Sequence, residues 1–362
     1  MIEQHICDMK HIVTHGTNFI EEIEYYLKKF SMTQKELAMR LGLSIKHINS
    51  IMNDEILDIS VSIIEGMEYA FHLETGTLSE VYQLYSNIKY AETHPEVAQV
   101  LSKYGINFLI KHPELALAAK ITIYDQSPLY IRYMMLKRFY GVTDFAIYDN
   151  YLKSTVLADE KLYENPNSKV WIRFCELSAA NLINSEDLSV FRTSMFQSTF
   201  KKVLNLMANE SFTFQEKIAS LKKSLLNKGI ILITIPFIED SAIKAVTLKK
   251  GAKRYIFLSD MYKSESHIFY SLLHEIAHCY NPDSDEKTID DLVALEYQQW
   301  ESKNNSSGYK AIYDAINAYQ QSRIVLDRNK DVDTSYIWSA IEQKYPMVSF
   351  TEETDDFFTK AE

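Results

Sequence analysis

The chain has 362 residues, a formal net charge of −11 and apolar residues at 46% of its positions. This length predicts two or three domains, and the apolar fraction is sufficient for packed cores. The negative charge argues against a broad nucleic-acid-binding surface, so any basic patch must be local. The three cysteines, Cys7, Cys175 and Cys279, are odd in number and far apart, and they imply no disulfide framework.

Two features of the chain bear on its compartment. Glu3, Asp8 and Lys10 stand where a signal peptide needs an apolar run. No uninterrupted apolar stretch approaches the roughly 20 residues of a membrane-spanning helix. We therefore expect a cytoplasmic protein with no membrane partner.

Two short helices joined by a tight turn are predicted over residues 33–51. Thr33 and Glu36 have the spacing of a capping box, Gly42 supplies the left-handed turn conformation, and Ser44 can cap the second helix. This layout is that of a helix-turn-helix, whose second helix enters the major groove of DNA. It resembles the Xre-type group and, more closely, the HigA-like antitoxin branch, over about the first 85 residues. The resemblance implies binding to operator DNA.

The outward-facing residues of this motif form a candidate DNA-binding surface. We expect the second helix to present Lys46, His47 and Asn49 to the DNA, while Lys35 and Arg40 could hold phosphates. Residues 1–75 contain only six basic side chains against twelve acidic ones, and phosphate neutralisation supplies much of the affinity for DNA. The motif is therefore either a DNA-binding domain that acts as a homodimer or a packing module that has lost DNA.

The pattern H-E-x-x-H occurs once, at His274, Glu275 and His278. Residues four apart share one face of a helix, so both imidazoles can bind one metal ion. Glu275 could then take a proton from water that the metal activates. Aliphatic residues at helical spacing, without Gly or Pro, predict the helix itself. The alternative is a structural pair of histidines; Cys279 points elsewhere around the helix and is interpreted as a buried thiol.

Three short β-rich runs precede this helix. The first lies between Gly229 and Pro236, and the other two, residues 245–248 and 255–258, flank a Lys-Lys-Gly turn and predict a hairpin. The order of strand, hairpin and H-E-x-x-H helix resembles the ImmA/IrrE-type metallopeptidases over residues 215–300. The resemblance implies a minimal zincin fold, bound zinc, and an edge strand with which a peptide can pair.

Zinc needs a third protein ligand and leaves the fourth position to water. In the ImmA/IrrE family this ligand is a carboxylate on the next helix, in a pattern similar to E-K-E-A-D/N-x-F-A. Here Glu286 and Asp290 match, but Thr288 and Ile289 replace the second Glu and the Ala. We expect Glu286 to bind the metal and Asp290 to hold a histidine ring from behind. The reverse assignment, and an acid-rich first turn favoured by the helix dipole, are the alternatives.

The predicted fold class is mainly α with a C-terminal α+β minimal zincin-like domain, a short three-stranded sheet plus the H-E-x-x-H helix. Four segments are predicted. They are a helix-turn-helix domain over 1–85, a helical linker or sensor region over 86–214, a zinc peptidase domain over 215–300, and a helical C-terminal extension with an acidic tail over 301–362.

Two functions follow from the resemblances. The first is a zinc-dependent metallopeptidase fused to a DNA-binding regulator domain, which cleaves a repressor or antitoxin partner. The second is a non-proteolytic transcriptional regulator whose zincin-like domain senses a ligand. The altered third-ligand pattern favours the second function. The presence of Glu275, which a metal sensor does not need, favours the first.

Overall fold

The computed structural model describes residues 12–56, 58–157, 160–183, 189–261, 263–304 and 348–350. Cys7 and nearly all of the predicted C-terminal extension lie outside these residues. The chain divides into two compact units, Met1–Leu101 with Lys120–Arg138 and Ser102–Ala119 with Phe139–Glu362. Within the described ranges, no helix combines the length and the apolar character needed to cross a membrane.

The described chain is mainly helical. The helices are α1 Phe19–Lys29, α2 Gln34–Leu41, α3 Ile45–Met52, α4 Val61–Ala70, α5 Thr77–Thr93, α6 Val97–Lys103, α7 Ile106–Lys111, α8 Pro113–Ala118, α9 Leu129–Tyr140, α10 Phe145–Thr155, α11 Glu160–Glu164, α12 Pro166–Ile183, α13 Phe196–Met207, α14 Phe214–Leu226, α15 Glu265–Tyr280 and α16 Glu286–Asn304. The strands are β1 Ile230–Thr234, β2 Ala245–Lys250 and β3 Lys253–Leu258. One small three-stranded sheet in the C-terminal half of a mainly helical chain confirms this part of the predicted fold class.

In the first unit, helices α2 and α3 occupy the predicted helix-turn-helix positions. The Thr33 and Ser44 hydroxyls accept hydrogen bonds from backbone amides in the first turns of α2 and α3, and Gly42 has a φ of 67°. The capping box is only half formed, because the Glu36 carboxylate binds the Arg40 guanidinium at 2.9 Å instead of returning to the cap. The buried residues of α1 to α5 form a common core.

In the second unit, the sheet has the order β1-β3-β2. Strands β2 and β3 form the predicted antiparallel hairpin, but both strands are longer than expected and the turn is confined to residues 251–252. Strand β1 pairs parallel with β3, with Ile230 opposite Arg254. Every residue of β1 is buried, which fits its continuous apolar sequence, since parallel strands are covered on both faces.

The two faces of this sheet carry different side chains, and one face packs against helices of the second unit. Ile230, Leu232 and Ile256 point to one face and share a core with α13, α14, α15 and α16. Because side chains alternate along a strand, Leu248 and its even-numbered neighbours in β2 point to the opposite face. Helix α15 lies beside β2 and β3, so the H-E-x-x-H residues are held against a rigid sheet.

Candidate metal centre

Helix α15 brings His274 and His278 together at its C-terminal half. The two residues are one helical turn apart, and their Nε2 atoms lie 3.0 Å from each other. The exposed fraction of the side chain is 15% for His274 and 5% for His278. The rings therefore meet in a largely water-excluded position, which is confined enough to fix their orientation.

The first residue of α16, Glu286, completes a group of three. Its Oε2 atom lies 3.0 Å from Nε2 of His274, and its Oε1 atom lies 3.5 Å from Nε2 of His278. Zinc bound tetrahedrally at about 2.0–2.1 Å requires ligand atoms roughly 3.3 Å apart. The three separations are close to this value, so His274, His278 and Glu286 could hold a metal ion. The Glu286 side chain is 49% exposed, which gives solvent access beside the group.

Asp290 lies one turn further along α16 and contacts the other side of the His274 ring. Its Oδ1 atom is 3.0 Å from Nδ1 of His274 and accepts a hydrogen bond of 2.6 Å from the Tyr270 hydroxyl. An acceptor at Nδ1 favours the tautomer that carries its proton there and leaves Nε2 free as a ligand. Glu286 thus belongs to the group that could hold a metal, and Asp290 lies on the other side of the His274 ring.

The charges of this group are strongly coupled. Burial lowers the pKa of His274, but hydrogen bonds to Asp290 and Glu286 outweigh burial and raise that pKa to about 10. Hydrogen bonds from His274 and His278 hold the pKa of Glu286 well below its ordinary value. Without a metal, the two carboxylates therefore favour a proton on His274, and a bound cation would displace that proton.

The ring of His278 is held less completely than the ring of His274. Its Nδ1 atom is buried and has no hydrogen-bond partner among the described residues. The tautomer that frees Nε2 for a metal puts the proton on this Nδ1 atom, and an unsatisfied buried donor costs roughly 1–3 kcal/mol. Metal ligation at Nε2 would offset that cost.

Glu275 lies between the two histidines in sequence and points towards the sheet. Its Oε2 atom accepts a hydrogen bond of 2.7 Å from the Thr247 hydroxyl in β2, and the residue is 7% exposed. Burial raises the pKa of the Glu275 carboxyl, while the charges of His274 and His278 oppose that rise. Glu275 is therefore a stronger base than an exposed glutamate, which suits it to accept a proton.

The outer edge of β2 differs from the expectation of an edge open to a peptide. Val156 and Leu248 form an antiparallel bridge, and the Leu157 amide donates a hydrogen bond of 2.9 Å to the Thr247 carbonyl. The chain's own residues 156–157 therefore occupy this edge beside Glu275. No local sequence pattern identifies this pairing, because it joins segments about ninety residues apart.

Two residues of the site were not predicted from sequence. Tyr270 precedes His274 by one helical turn, so helical spacing could have placed it on the same face. Thr247 is the one polar residue among the first four of β2, and a polar residue at a buried strand position suggests a hydrogen-bonding role. Cys279 is fully buried as expected, and burial raises the pKa of its thiol.

The candidate DNA-binding residues all belong to the first unit. Lys35, Lys46 and Asn49 are exposed and His47 is half-buried. Arg40 is exposed but engaged by Glu36. Four of the five side chains thus remain accessible without rearrangement of an ion pair.

Comparison with family models, curated proteins and solved structures found no match to this chain.

Proposed function

We propose that the chain is a zinc-dependent metallopeptidase joined to a DNA-binding regulator domain, and that it cleaves a regulatory protein such as a repressor or antitoxin. The observation that carries the proposal is the convergence of His274, His278 and Glu286 within bonding range of a single cation, with the Glu275 carboxylate held by Thr247 and close enough to feel the charges of both histidines. Three protein ligands of the nitrogen and oxygen type, next to a carboxylate base, suit catalytic zinc.

Each residue has a separate task in this proposal. Zinc, when bound, supplies a Lewis acid that lowers the pKa of its water to about 7 and polarises a carbonyl. Glu275 accepts a proton from the attacking water and later donates it to the leaving amine. Thr247 holds the Glu275 carboxylate by its hydroxyl, and Asp290 holds the ring of His274.

The regulatory part of the proposal is supported by the helix-turn-helix geometry of the first unit. Helix α3 is capped at Ser44 and exposes Lys46 and Asn49 on its outer face. So few cations per chain would give weak binding to phosphates, and a homodimer on a two-fold operator would double their number. Cleavage of a partner repressor or antitoxin would then change transcription at that operator.

A second candidate function is a regulator that binds metal or another ligand without cutting. The occupied edge of β2 favours it, because residues 156–157 leave no room for a substrate backbone at the Thr247 carbonyl. The two candidates differ in what they require of Glu275, which has no place among the three candidate metal-binding atoms.

The test compares wild type with Glu275→Gln in the cells that produce the protein, by quantifying newly formed protein N-termini. Both forms must first be shown to carry equal zinc. A peptidase yields at least one new terminus that is present with wild type and absent with Glu275→Gln. Identical termini in the two strains, together with an unchanged transcriptional response, would defeat the peptidase function and leave the sensor.

A further inference from the structure

The contact between residues 156–157 and strand β2 has the geometry of a bound peptide. The Leu157 amide donates to the Thr247 carbonyl at 2.9 Å, and Val156 stands opposite Leu248 in an antiparallel bridge. A single residue, Thr247, thus bonds the segment through its backbone and Glu275 through its hydroxyl. The segment and the proposed catalytic base therefore bond to the same residue.

The pairing register determines where the Leu157 side chain points. Opposite residues of an antiparallel pair project to the same face of the sheet. Thr247 projects towards α15, where its hydroxyl meets Glu275, so Leu157 opposite it projects to that face as well. Val156 pairs with Leu248 on the other face, and it is only 7% exposed. An aliphatic side chain is therefore directed to the side of the sheet that carries the metal group.

On its N-terminal side, the segment is anchored by helix α10, which does not involve the metal group. Val156 directly follows the last residue of helix α10, and its amide donates to the Leu152 carbonyl. The same helix contributes the Tyr151 ring beneath the Lys250 ammonium, 5.3 Å from the ring centroid, and Lys250 also binds the buried Glu176 at 3.0 Å. Helix α10 thus sets the position of the segment, while a short bridge holds it on β2.

Resting on the proposed peptidase function, we propose that residues 156–157 occupy the backbone position of the substrate on β2 and keep the site latent. The occupant that displaces them is an extended peptide with an aliphatic side chain opposite Thr247. Substrate entry then requires the loss of the Leu157–Thr247 hydrogen bond and its replacement by one from the substrate.

Binding can be tested without cleavage by using full-length, zinc-loaded Glu275→Gln as the parent protein. The probe is a fluorescein-labelled peptide with the sequence of residues 153–157, Lys-Ser-Thr-Val-Leu, followed by fluorescence polarisation. Leu157→Pro removes the amide donor, so the tethered competitor is weakened and the probe should bind about tenfold more tightly. Leu157→Ala keeps the amide and shortens only the side chain, so it is the matched control, and its gain in probe affinity should be smaller than that of Leu157→Pro.

A second variant fixes the segment instead of releasing it. Val156→Cys with Leu248→Cys places two thiols at a non-hydrogen-bonded antiparallel position, where Cα atoms are about 4.5 Å apart and a disulfide can form. Both side chains lie on the face away from Glu275. The oxidised protein should lose probe binding, and reduction with a phosphine should restore it, at unchanged zinc content.

The outcomes separate the two proposals. Equal probe affinity in the parent, in Leu157→Pro and in both redox forms of the disulfide variant overturns the latent-site proposal, whatever the enzyme cleaves. Affinity that follows the state of the segment supports it. If the segment controls binding but wild type produces no new protein termini, the peptidase function fails while the occlusion of the edge stands.

Discussion

Asp290 and Glu286 bind opposite nitrogens of the same histidine. Asp290 Oδ1 lies 3.0 Å from Nδ1 of His274, and Glu286 Oε2 lies 3.0 Å from its Nε2. The spacing of one helical turn in α16 therefore places one carboxylate at the nitrogen that could bind a metal and the other at the opposite nitrogen of the ring. The two carboxylates are chemically alike, and their unequal roles depend on which nitrogen each one meets.

The first prediction follows from this arrangement. Glu286→Gln should lower zinc affinity more than Asp290→Asn, whose effect should be about 10- to 100-fold, as is typical of groups behind a ligand. Competition with a zinc-binding dye measures both. Tyr270→Phe, which removes only the 2.6 Å hydrogen bond to Asp290, should have the smallest effect. The opposite ranking of the two carboxylates would move the ligand to Asp290.

The second prediction concerns zinc stoichiometry. The purified protein should contain about one zinc per chain, because two imidazoles and one carboxylate leave a single open position. His274→Ala or His278→Ala should abolish the zinc measured by atomic emission. Cys279→Ala is the control and should retain it, since the buried thiol is not part of the group. If the double histidine variant keeps its full zinc content, His274 and His278 are not the zinc ligands.

The third prediction concerns Thr247. Its hydrogen bond lowers the pKa of Glu275, against the larger effect of burial, which raises that pKa. Thr247→Val removes the hydroxyl, so the pKa of Glu275 rises further and the base stays protonated to a higher pH. The acid limb of kcat/KM should therefore move to higher pH at unchanged zinc content. Thr247→Ser keeps the hydroxyl and should keep the wild-type profile; an identical shift in both variants would contradict the role of the hydrogen bond.

The fourth prediction concerns pH and stability. Burial, with a smaller contribution from Lys244, lowers the pKa of His267 from 6.5 to about 4. Between these values His267 is protonated in the unfolded chain but neutral in the folded chain. The free energy of unfolding should therefore fall as pH drops from about 6.5 to 4. The contribution is on the order of 3 kcal/mol.

Urea unfolding of the metal-free protein at pH 7 and pH 4.5 measures this loss, which should be smaller in His267→Gln. The comparison between variants cancels the other titrating groups. The same loss in both proteins would show that His267 does not carry the acid sensitivity.

The fifth prediction concerns DNA. Binding to a fragment upstream of the protein's own gene should weaken with salt, and Lys46→Ala should weaken it further. Arg40→Ala should have a smaller effect than Lys46→Ala, because the Arg40 guanidinium already binds Glu36 at 2.9 Å. Mobility shifts at several salt concentrations test the ranking. If no promoter fragment is shifted at low salt, the motif is better interpreted as a packing module that does not bind DNA.

Local patterns predicted the features that depend on neighbouring residues. Aliphatic spacing predicted the helix around His274, and a glycine between two β-rich runs predicted the hairpin. Contacts between distant segments could not be predicted in this way, because periodicity indicates which face of an element is buried but not which other segment packs against that face. The pairing of Leu157 with Thr247 and the contact of Tyr270 with Asp290 belong to this class.

One prediction from local pattern was incomplete for a physical reason. Thr33 and Glu36 have capping-box spacing, yet Arg40 stands four residues after Glu36 and attracts its carboxylate. A helical ion pair and a reciprocal cap compete for the same side chain. At Thr213 and Glu216 the capping box does form, and no arginine follows Glu216 at that spacing.

The sheet order β1-β3-β2 has a consequence for the sequence of folding events. Strands β2 and β3 are joined by two residues and can pair within microseconds, whereas β1 must wait for a crossover that closes a longer loop. Until β1 docks, the edge of β3 that carries Ile256 and Leu258 is unpaired and apolar, as in strands that template intermolecular association. We therefore expect the soluble yield of this chain to depend on the rate at which β1, which begins at Ile230, pairs with β3.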